Sequence, residues 1–149
     1  MPYFICPNCK DRSLDTDGFE GMSSQAAACR RCGFGFLFEL MDDYYPGPNT
    51  GLVVCDREAR ILAAGRGVFE LTGWNERELM GHDLKERLGF AFEDEQDPVA
   101  LALEWGVRRL GERLRLRTRA GIEKAALADL FPAYDSDGGL LVALSPRAE

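Results

Sequence analysis

Four of the five cysteines stand in two pairs with the same spacing, an arrangement typical of a metal site. The pairs are Cys6-Pro7-Asn8-Cys9 and Cys29-Arg30-Arg31-Cys32, and 19 residues separate them. Each pair places two sulfurs on a tight turn, where both can reach one ion at about 2.3 Å, and two such turns complete a tetrahedron. We therefore predict a zinc ion bound by Cys6, Cys9, Cys29 and Cys32. The site would be structural, because four protein ligands leave no open position for a reacting water.

Other interpretations of these cysteines stay open at this point. Iron suits the same tetrahedron of sulfur, and four thiols without a metal are a further alternative. A thioredoxin-like redox pair fits less well, because no βαβ pattern surrounds either motif. The amino terminus, MPYFICPNCK, lacks a basic region followed by an apolar one, so we expect a cytoplasmic protein. That compartment is reducing, which argues against a disulfide framework.

The chain divides at a segment that breaks regular structure. Two prolines and two glycines fall within residues 45–51, and this composition cannot continue a helix or a central strand. We predict a metal domain over residues 1–45, a linker over 46–50 and a second domain over 51–147. About 45 residues hold too small a core to fold alone, so the first domain needs a metal or a partner.

The first domain resembles a zinc ribbon, a small β fold. Phe34, Phe36, Phe38 and Leu40 alternate with other residues in GFGFLFEL, a period of two that predicts a strand. Glycine follows Cys32, whereas Lys10 follows Cys9 and lacks the backbone freedom of glycine. The CPNC and CRRCG motifs followed by this strand carry the resemblance, and the fold name implies no single function.

The sequence of the second domain predicts strands near both ends and helices between them. Asn75 with Glu78, Asp83 with Glu86, and Asp97 with Pro98 mark three helix starts, and the third helix is predicted to run to about Leu110, with Gly111 as its stop. The predicted strands are Leu52–Cys55, Arg60–Ala64, Glu112–Arg119, Ile122–Tyr134 and Gly139–Ser145. This order predicts the α+β class, with a five-stranded antiparallel sheet and helices on one face.

Residues 51–147 resemble a PAS domain. The segments that carry the resemblance are GLVVCDREARILAAG, VFELTGW and ELMG, and this chain has Ala59 and Gly65 where the family commonly has glycine and asparagine. The resemblance implies sensing of small molecules, light or redox state, or pairing with another PAS domain and passing a signal to an output domain. Pairing of this kind implies a homodimer.

Four positions in the second domain are candidates for binding or chemistry. His82, the one histidine, is the residue that a haem would need, although a solvated or capping role suits its charged setting. Residues 81–86 contain no cysteine, which argues against a flavin photosensor. Cys55 is predicted to be a buried thiol. Trp105 and Gly106 would either line the PAS pocket or simply pack on the sheet. The sequence leaves open whether this pocket is vacant or holds a small ligand.

Charged residues form two groups. Glu93, Asp94, Glu95 and Asp97 lead into a helix start, where negative charge favours the helix dipole, so we predict no catalytic residues here. Arg113, Arg115, Arg117 and Arg119 alternate with Leu114, Leu116 and Thr118. A strand would bury the leucines and line the arginines on the outer face, either as a solvated face or as a docking surface for acidic groups such as Glu39, Asp42 and Asp43.

These patterns predict a non-enzymatic regulatory module of signal transduction or transcription control, in which the PAS domain senses or pairs and the zinc ribbon binds a protein partner. A haem- or flavin-binding sensor and a DNA-binding regulator are the alternatives. The net charge of −7 argues against nucleic acid. No stretch approaches the roughly 18 apolar residues of a membrane helix.

Overall fold

The structure is a computed structural model of the chain. It describes residues 2–10, 12–13, 22–23, 37–41, 47, 49–93, 96–132 and 139–147. The described residues form two antiparallel sheets. The first contains four short strands near the amino terminus, and the second contains six strands and carries four helices.

The amino-terminal sheet has the strand order β2-β1-β4-β3. Its strands are β1 (Pro2–Ile5), β2 (Arg12–Ser13), β3 (Met22–Ser23) and β4 (Leu37–Met41). Pro2 pairs with Met41 and Ile5 with Phe38, so β1 and β4 align antiparallel along their length. The strand predicted in GFGFLFEL is thus present over its second half, and residues 34–36 lie outside the described residues. The zinc ribbon itself stays a prediction.

The larger sheet has the order β6-β5-β10-β9-β8-β7 with every neighbour antiparallel. Its strands are β5 (Gly51–Cys55), β6 (Ile61–Ala64), β7 (Ala91–Phe92), β8 (Arg109–Arg117), β9 (Glu123–Pro132) and β10 (Leu140–Pro146). The predicted count of five strands was wrong, because Ala91 and Phe92 pair with Arg115 and Leu114 as an edge strand. Two residues are too few to show the alternation that predicts a strand.

Three helix starts were predicted from their caps, and all three are present. The helices are α2 (Glu76–Leu79), α3 (Leu84–Leu88) and α4 (Pro98–Trp105). Asn75 and Glu78 form a reciprocal capping box, and Asp83 and Asp97 each accept from amides of the first turn. These interactions lie within a few residues, which is why the sequence alone reveals them.

Two features of the helices were not predicted. Helix α1 (Arg66–Thr72) begins at Gly65, which offers no side-chain cap, and its first turn carries no acidic residue. Helix α4 ends at Trp105 rather than near Leu110, because Gly106 takes a left-handed φ of 66° and its amide bonds to Ala102 O. The segment from Arg109 onward is therefore free to join β8.

The larger sheet packs apolar side chains on both faces. One face meets the helices, and there Leu114 and Leu116 of β8 pack in one cluster with Leu88 of α3, all with no exposed surface. The predicted burial of the leucines of β8 is thus confirmed. The outer face holds a smaller cluster of Ile5, Leu52, Val54, Ala63, Phe131, Leu141 and Ala143. Because Ile5 belongs to β1, the amino-terminal segment covers part of this outer face.

Candidate metal centre and its junction with the sheet

Cys6 and Cys9 lie on one closed turn directly after β1. The amide of Lys10 donates to Cys6 O at 2.9 Å, which closes the turn over both cysteines. Cys6 is buried and Cys9 half-buried. Lys10 adopts a left-handed φ of 64°, the conformation that a glycine after the second cysteine would supply at lower cost. The backbone therefore forms the turn even though the sequence places lysine there.

The side chain of Lys10 helps to hold this conformation. Its Nζ donates to Gly47 O at 3.1 Å, which ties the turn to the segment preceding β5. Burial lowers the pKa of Lys10 from its ordinary value, the charge of Glu70 opposes this change, and Arg66 adds to it. A strained residue persists only where its surroundings fix it, and this hydrogen bond is one such contact.

Cys6 and Cys9 are the two predicted metal ligands that the structure describes. Two sulfur donors on one closed turn are the first half of the ligand set that zinc or iron takes in a four-cysteine site. Cys29 and Cys32 lie outside the described residues. The four-cysteine site therefore remains a prediction.

This turn is packed directly against the start of α1. A β-carbon at Gly65 would lie 1.9 Å from the carbonyl oxygen of Pro7, so only glycine fits at this position. The amide of Arg66 donates to Oδ1 of Asn8 at 2.9 Å. Sequence reasoning missed both contacts, because they join residues 58 positions apart. The one clue was Gly65 itself, which replaces the asparagine common in the PAS family.

Ile5 anchors the other side of the turn. It has no exposed surface and packs with Leu52, Val54 and Leu141 on the outer face of the larger sheet. Burial of an isoleucine side chain contributes roughly 1.5–3 kcal/mol. The residue before Cys6 is thus part of the core of the larger sheet.

Cys55 is a core residue of β5. Its side chain is fully buried in the cluster beneath the helices. Burial raises the pKa of the Cys55 thiol, and the nearby charges of Asp56 and Asp83 raise it further. A thiol with a raised pKa is a poor nucleophile and a poor metal ligand. The prediction of a buried thiol is confirmed.

His82 is exposed and takes part in a polar surface cavity. Its main chain joins β6 to the helices, since Ile61 N donates to His82 O at 2.9 Å. The cavity, of about 320 Å³, is lined by Trp74, His82, Asp83, Glu86, Arg87 and Arg117. The guanidinium of Arg87 lies 4.7 Å from the centre of the Trp74 ring. The charged setting predicted for His82 is observed, and it suits a solvated histidine better than a haem ligand.

Trp105 and Gly106 do not wall an interior pocket. Trp105 is 71 % exposed, and Gly106 ends α4. Trp105 instead lines a surface cavity of about 380 Å³ with Gln96, Leu101, Val107 and Arg109. The sequence did not point to Val107 or Arg109, because the predicted helix ran through both positions. We call this space the Trp105 cavity.

The predicted arginine row, which runs from β8 to Arg119, is divided between internal ion pairs and exposed charges. Arg119 Nε lies 2.7 Å from Glu78 Oε2, and Arg115 Nε lies 3.5 Å from Glu123 Oε2. Arg113 and Arg117 are exposed, and neither has an ion-pair partner among the described residues. Of the acidic partners predicted for this row, Asp42 and Asp43 lie outside the described residues, and no side-chain position is described for Glu39.

Glu93 and Asp97, two of the acidic residues before α4, have structural partners. Asp97 caps the helix and forms an ion pair with Lys85. Glu93 accepts from both terminal nitrogens of Arg147 at 3.2 Å. Asp94 and Glu95 lie outside the described residues. Within the part of the chain that the structure describes, no three His, Cys, Asp or Glu side chains lie together as metal ligands.

Comparison with known proteins places the larger sheet and its helices in a known fold. The PAS domain of a protein from Colwellia psychrerythraea has a TM-score of 0.54 and 18 % identity, over 66 % of this chain and 86 % of that chain. The PAS domain of nitrogen regulation protein NR(II) from Vibrio parahaemolyticus has a TM-score of 0.57 and 13 % identity, over 68 % and 92 %. The chain contains a PAS fold.

A third solved structure also shares the PAS fold. The light-state dimer of the fungal blue-light photoreceptor Vivid has a TM-score of 0.56 and 11 % identity, over 70 % of this chain and 82 % of that chain. No family model and no curated protein matches the sequence. The PAS resemblance of the sequence is thus confirmed at the level of the fold.

In the described part of the chain, no helix has both the length and the apolar character to cross a bilayer.

Proposed function

We propose that the chain is a non-enzymatic, cytoplasmic regulatory module of signal transduction or transcription control. In this proposal the PAS domain senses or pairs, and the amino-terminal zinc ribbon presents a surface to a protein partner. One observation carries the proposal: the Cys6–Cys9 turn, half of the predicted metal site, packs on the PAS domain itself. A metal domain attached in this way is suited to communicate with the sensor.

Cys6, Cys9, Cys29 and Cys32 would hold the zinc ion in this proposal. A bound zinc ion would supply a cross-link between distant parts of a chain segment too small to fold alone. Four sulfur ligands saturate the ion, so this chemistry is structural. Cys55 stays outside the site, because it lies buried in the PAS core.

A protein partner fits the charge of the molecule better than nucleic acid does. The net charge of −7 repels phosphate, while the exposed guanidinium groups of Arg113 and Arg117 offer contacts to acidic side chains. The fungal photoreceptor Vivid, which shares the PAS fold, was solved as a dimer. We propose a homodimer as the first assembly to look for.

Native mass spectrometry of the full chain tests this proposal, because one spectrum reports metal, small ligands and subunit number. We expect one zinc ion per chain and two chains per particle. Cys9→Ser should lose the zinc ion, and the matched control Cys55→Ala should retain it. A wild-type mass without zinc would contradict the metal site. Iron in its place would keep the site and change the ion.

A visible absorption spectrum and a retardation experiment test the two alternatives. A colourless preparation would exclude a bound haem or flavin. Retardation of generic duplex DNA that disappears with salt would favour the DNA-binding alternative, whereas no shift at low salt would exclude it.

A second candidate function is the binding of a small ligand in the Trp105 cavity. Its volume of about 380 Å³ and its lining of Leu101, Trp105 and Val107 with two polar residues suit a small, mostly apolar molecule. The chain has two tryptophans, so Trp74→Phe leaves Trp105 as the one indole reporter. Quenching of Trp105 fluorescence by a cell-extract metabolite fraction would support this function. Equal quenching of the remaining Trp74 fluorescence in the single variant Trp105→Phe would contradict it.

A further inference from the structure

The turn that carries Cys6 and Cys9 has three separate contacts with one small region of the PAS domain. The carbonyl of Pro7 occupies the space that a side chain at Gly65 would fill. Asn8 Oδ1 accepts from Arg66 N, and Ile5 is buried among apolar residues of the outer sheet face. Contacts on both sides of Cys6 fix the turn in place, so it cannot move without disturbing the start of α1.

The start of α1 is in turn packed against β5 with no side chain between them. A β-carbon at Gly67 would lie 2.5 Å from Thr50 O, and one at Gly51 would lie 2.7 Å from Val68 N. The amide of Gly65 donates to Leu52 O at 2.9 Å. Close backbone contact allows little compression. A displacement of the Cys6–Cys9 turn would therefore reach α1 and β5 directly.

From these contacts we infer that metal occupancy of the four-cysteine site is coupled to the PAS domain through Gly65, Arg66 and Asn8. The inference rests on the proposed zinc site. The PAS domain holds the first two ligands in a preformed turn and so raises the metal affinity, since a preformed site avoids the cost of ordering. Coupling of binding free energies is reciprocal, so the bound metal stabilises the start of α1 to the same extent.

The coupling gives the PAS domain a regulatory input from its own amino terminus. With the metal bound, the turn stays docked, and Ile5 directly before it stays packed with Leu52 and Val54 on the outer face. Loss of the metal removes one of the constraints on the turn and weakens the Asn8–Arg66 hydrogen bond. Gly65 and Asn8 are positioning residues in this scheme, because they act on the metal through the turn.

Zinc affinity of three variants tests the inference, measured by competition with a chromophoric chelator. Gly65→Ala should weaken zinc binding about tenfold, as loss of supporting contacts around metal ligands does. Asn8→Ala removes one hydrogen bond and should weaken it about threefold. The control is Gly121→Ala, which strains a left-handed turn residue with no atom within 4 Å of the new β-carbon. It should leave zinc affinity within about twofold of wild type, because it changes PAS stability alone.

Hydrogen exchange of the wild-type protein gives a second readout that needs no variant. Removal of zinc with a chelator should speed exchange of the Arg66 amide, whose acceptor is Asn8. The Glu78 amide, which is capped by Asn75, should exchange at an unchanged rate. Wild-type protein that binds no zinc would overturn the proposed site. Equal zinc affinity in wild type, Gly65→Ala and Asn8→Ala, or equal exchange at Arg66 with and without zinc, would overturn the coupling alone.

Discussion

Arg119 Nε donates to Glu78 Oε2 at 2.7 Å, and this bond links the segment just after β8 to the capping box of α2. The other oxygen of the same carboxylate accepts from Asn75 N at 3.3 Å. The hydrogen bond from Arg119 lowers the pKa of Glu78, the Asn75 amide and the nearby arginine charges add to this effect, and desolvation opposes it. One carboxylate thus serves a helix cap and a tertiary contact.

The first prediction concerns pH. Glu78 has a folded-state pKa below its unfolded value, so its contribution to stability is present above the unfolded pKa of about 4.3 and is lost as pH falls through the folded pKa. In Arg119→Leu the midpoint of the Glu78 carboxyl resonance, followed by carbon-detected NMR, should move up towards the ordinary value. Arg113→Leu, a change at an exposed arginine of the same row, should leave it in place. Identical midpoints in wild type and Arg119→Leu would refute the assigned cause.

Local interactions made part of this fold predictable. The caps at Asn75, Asp83 and Asp97 form with amides at most three residues away, so their residue types alone mark the helix starts. Alternation likewise predicted that Leu114 and Leu116 are buried. Features that depend on interactions within one helical turn, or on the alternation of residues along one strand, can be predicted from the sequence.

Contacts between distant segments were not predictable in this way. Helix α1 has no capping side chain, and its start is fixed by Pro7 and Asn8 from the amino terminus. The edge strand at Ala91 is defined by its pairing with Arg115 and not by its own pattern. The junction beside the predicted metal site is likewise formed by residues 58 positions apart in the chain. Sequence reasoning therefore identified the cysteines but not the residues that hold their turn.

The second prediction separates the two classes of cysteine by their reactivity. Cys55 should resist iodoacetamide at pH 8 while the protein is folded, because burial raises the pKa of its thiol. Cys9 is half-buried on the turn and should be labelled once a chelator has removed the metal. Peptide mass spectrometry measures both sites in one sample, and urea should make Cys55 reactive. Labelling of Cys55 at the rate of Cys9 without denaturant would contradict its place in the core.

A third prediction compares neighbours on the two faces of β8. Leu116 has no exposed surface, so Leu116→Ala should lower the free energy of unfolding by about 2–5 kcal/mol. Arg113 is exposed and has no ion-pair partner among the described residues. Arg113→Ala should therefore change the free energy of unfolding by less than about 0.5 kcal/mol. Urea unfolding followed by circular dichroism measures both values. Similar losses in the two variants would mean that the strand does not bury alternate residues as described.

The fourth prediction separates the two roles of Asp97. Its Oδ1 accepts from Val99 N at 3.0 Å and from Ala100 N at 3.3 Å, while Oδ2 pairs with Lys85. Asp97→Ala removes the cap and the ion pair and should cost about 1 kcal/mol or more of unfolding free energy.

Asp97→Asn keeps a capping oxygen and removes the charge. It should cost well under about 1 kcal/mol, because both side chains of the ion pair are about one-third exposed and such pairs contribute little. Lys85→Met, which removes the same pair from its other end, should match Asp97→Asn, and the small cost of each should fall in 1 M salt. Thermal unfolding of the three variants measures these differences. A loss in Asp97→Asn as large as that in Asp97→Ala would show that the charge, and not the cap, holds the start of α4.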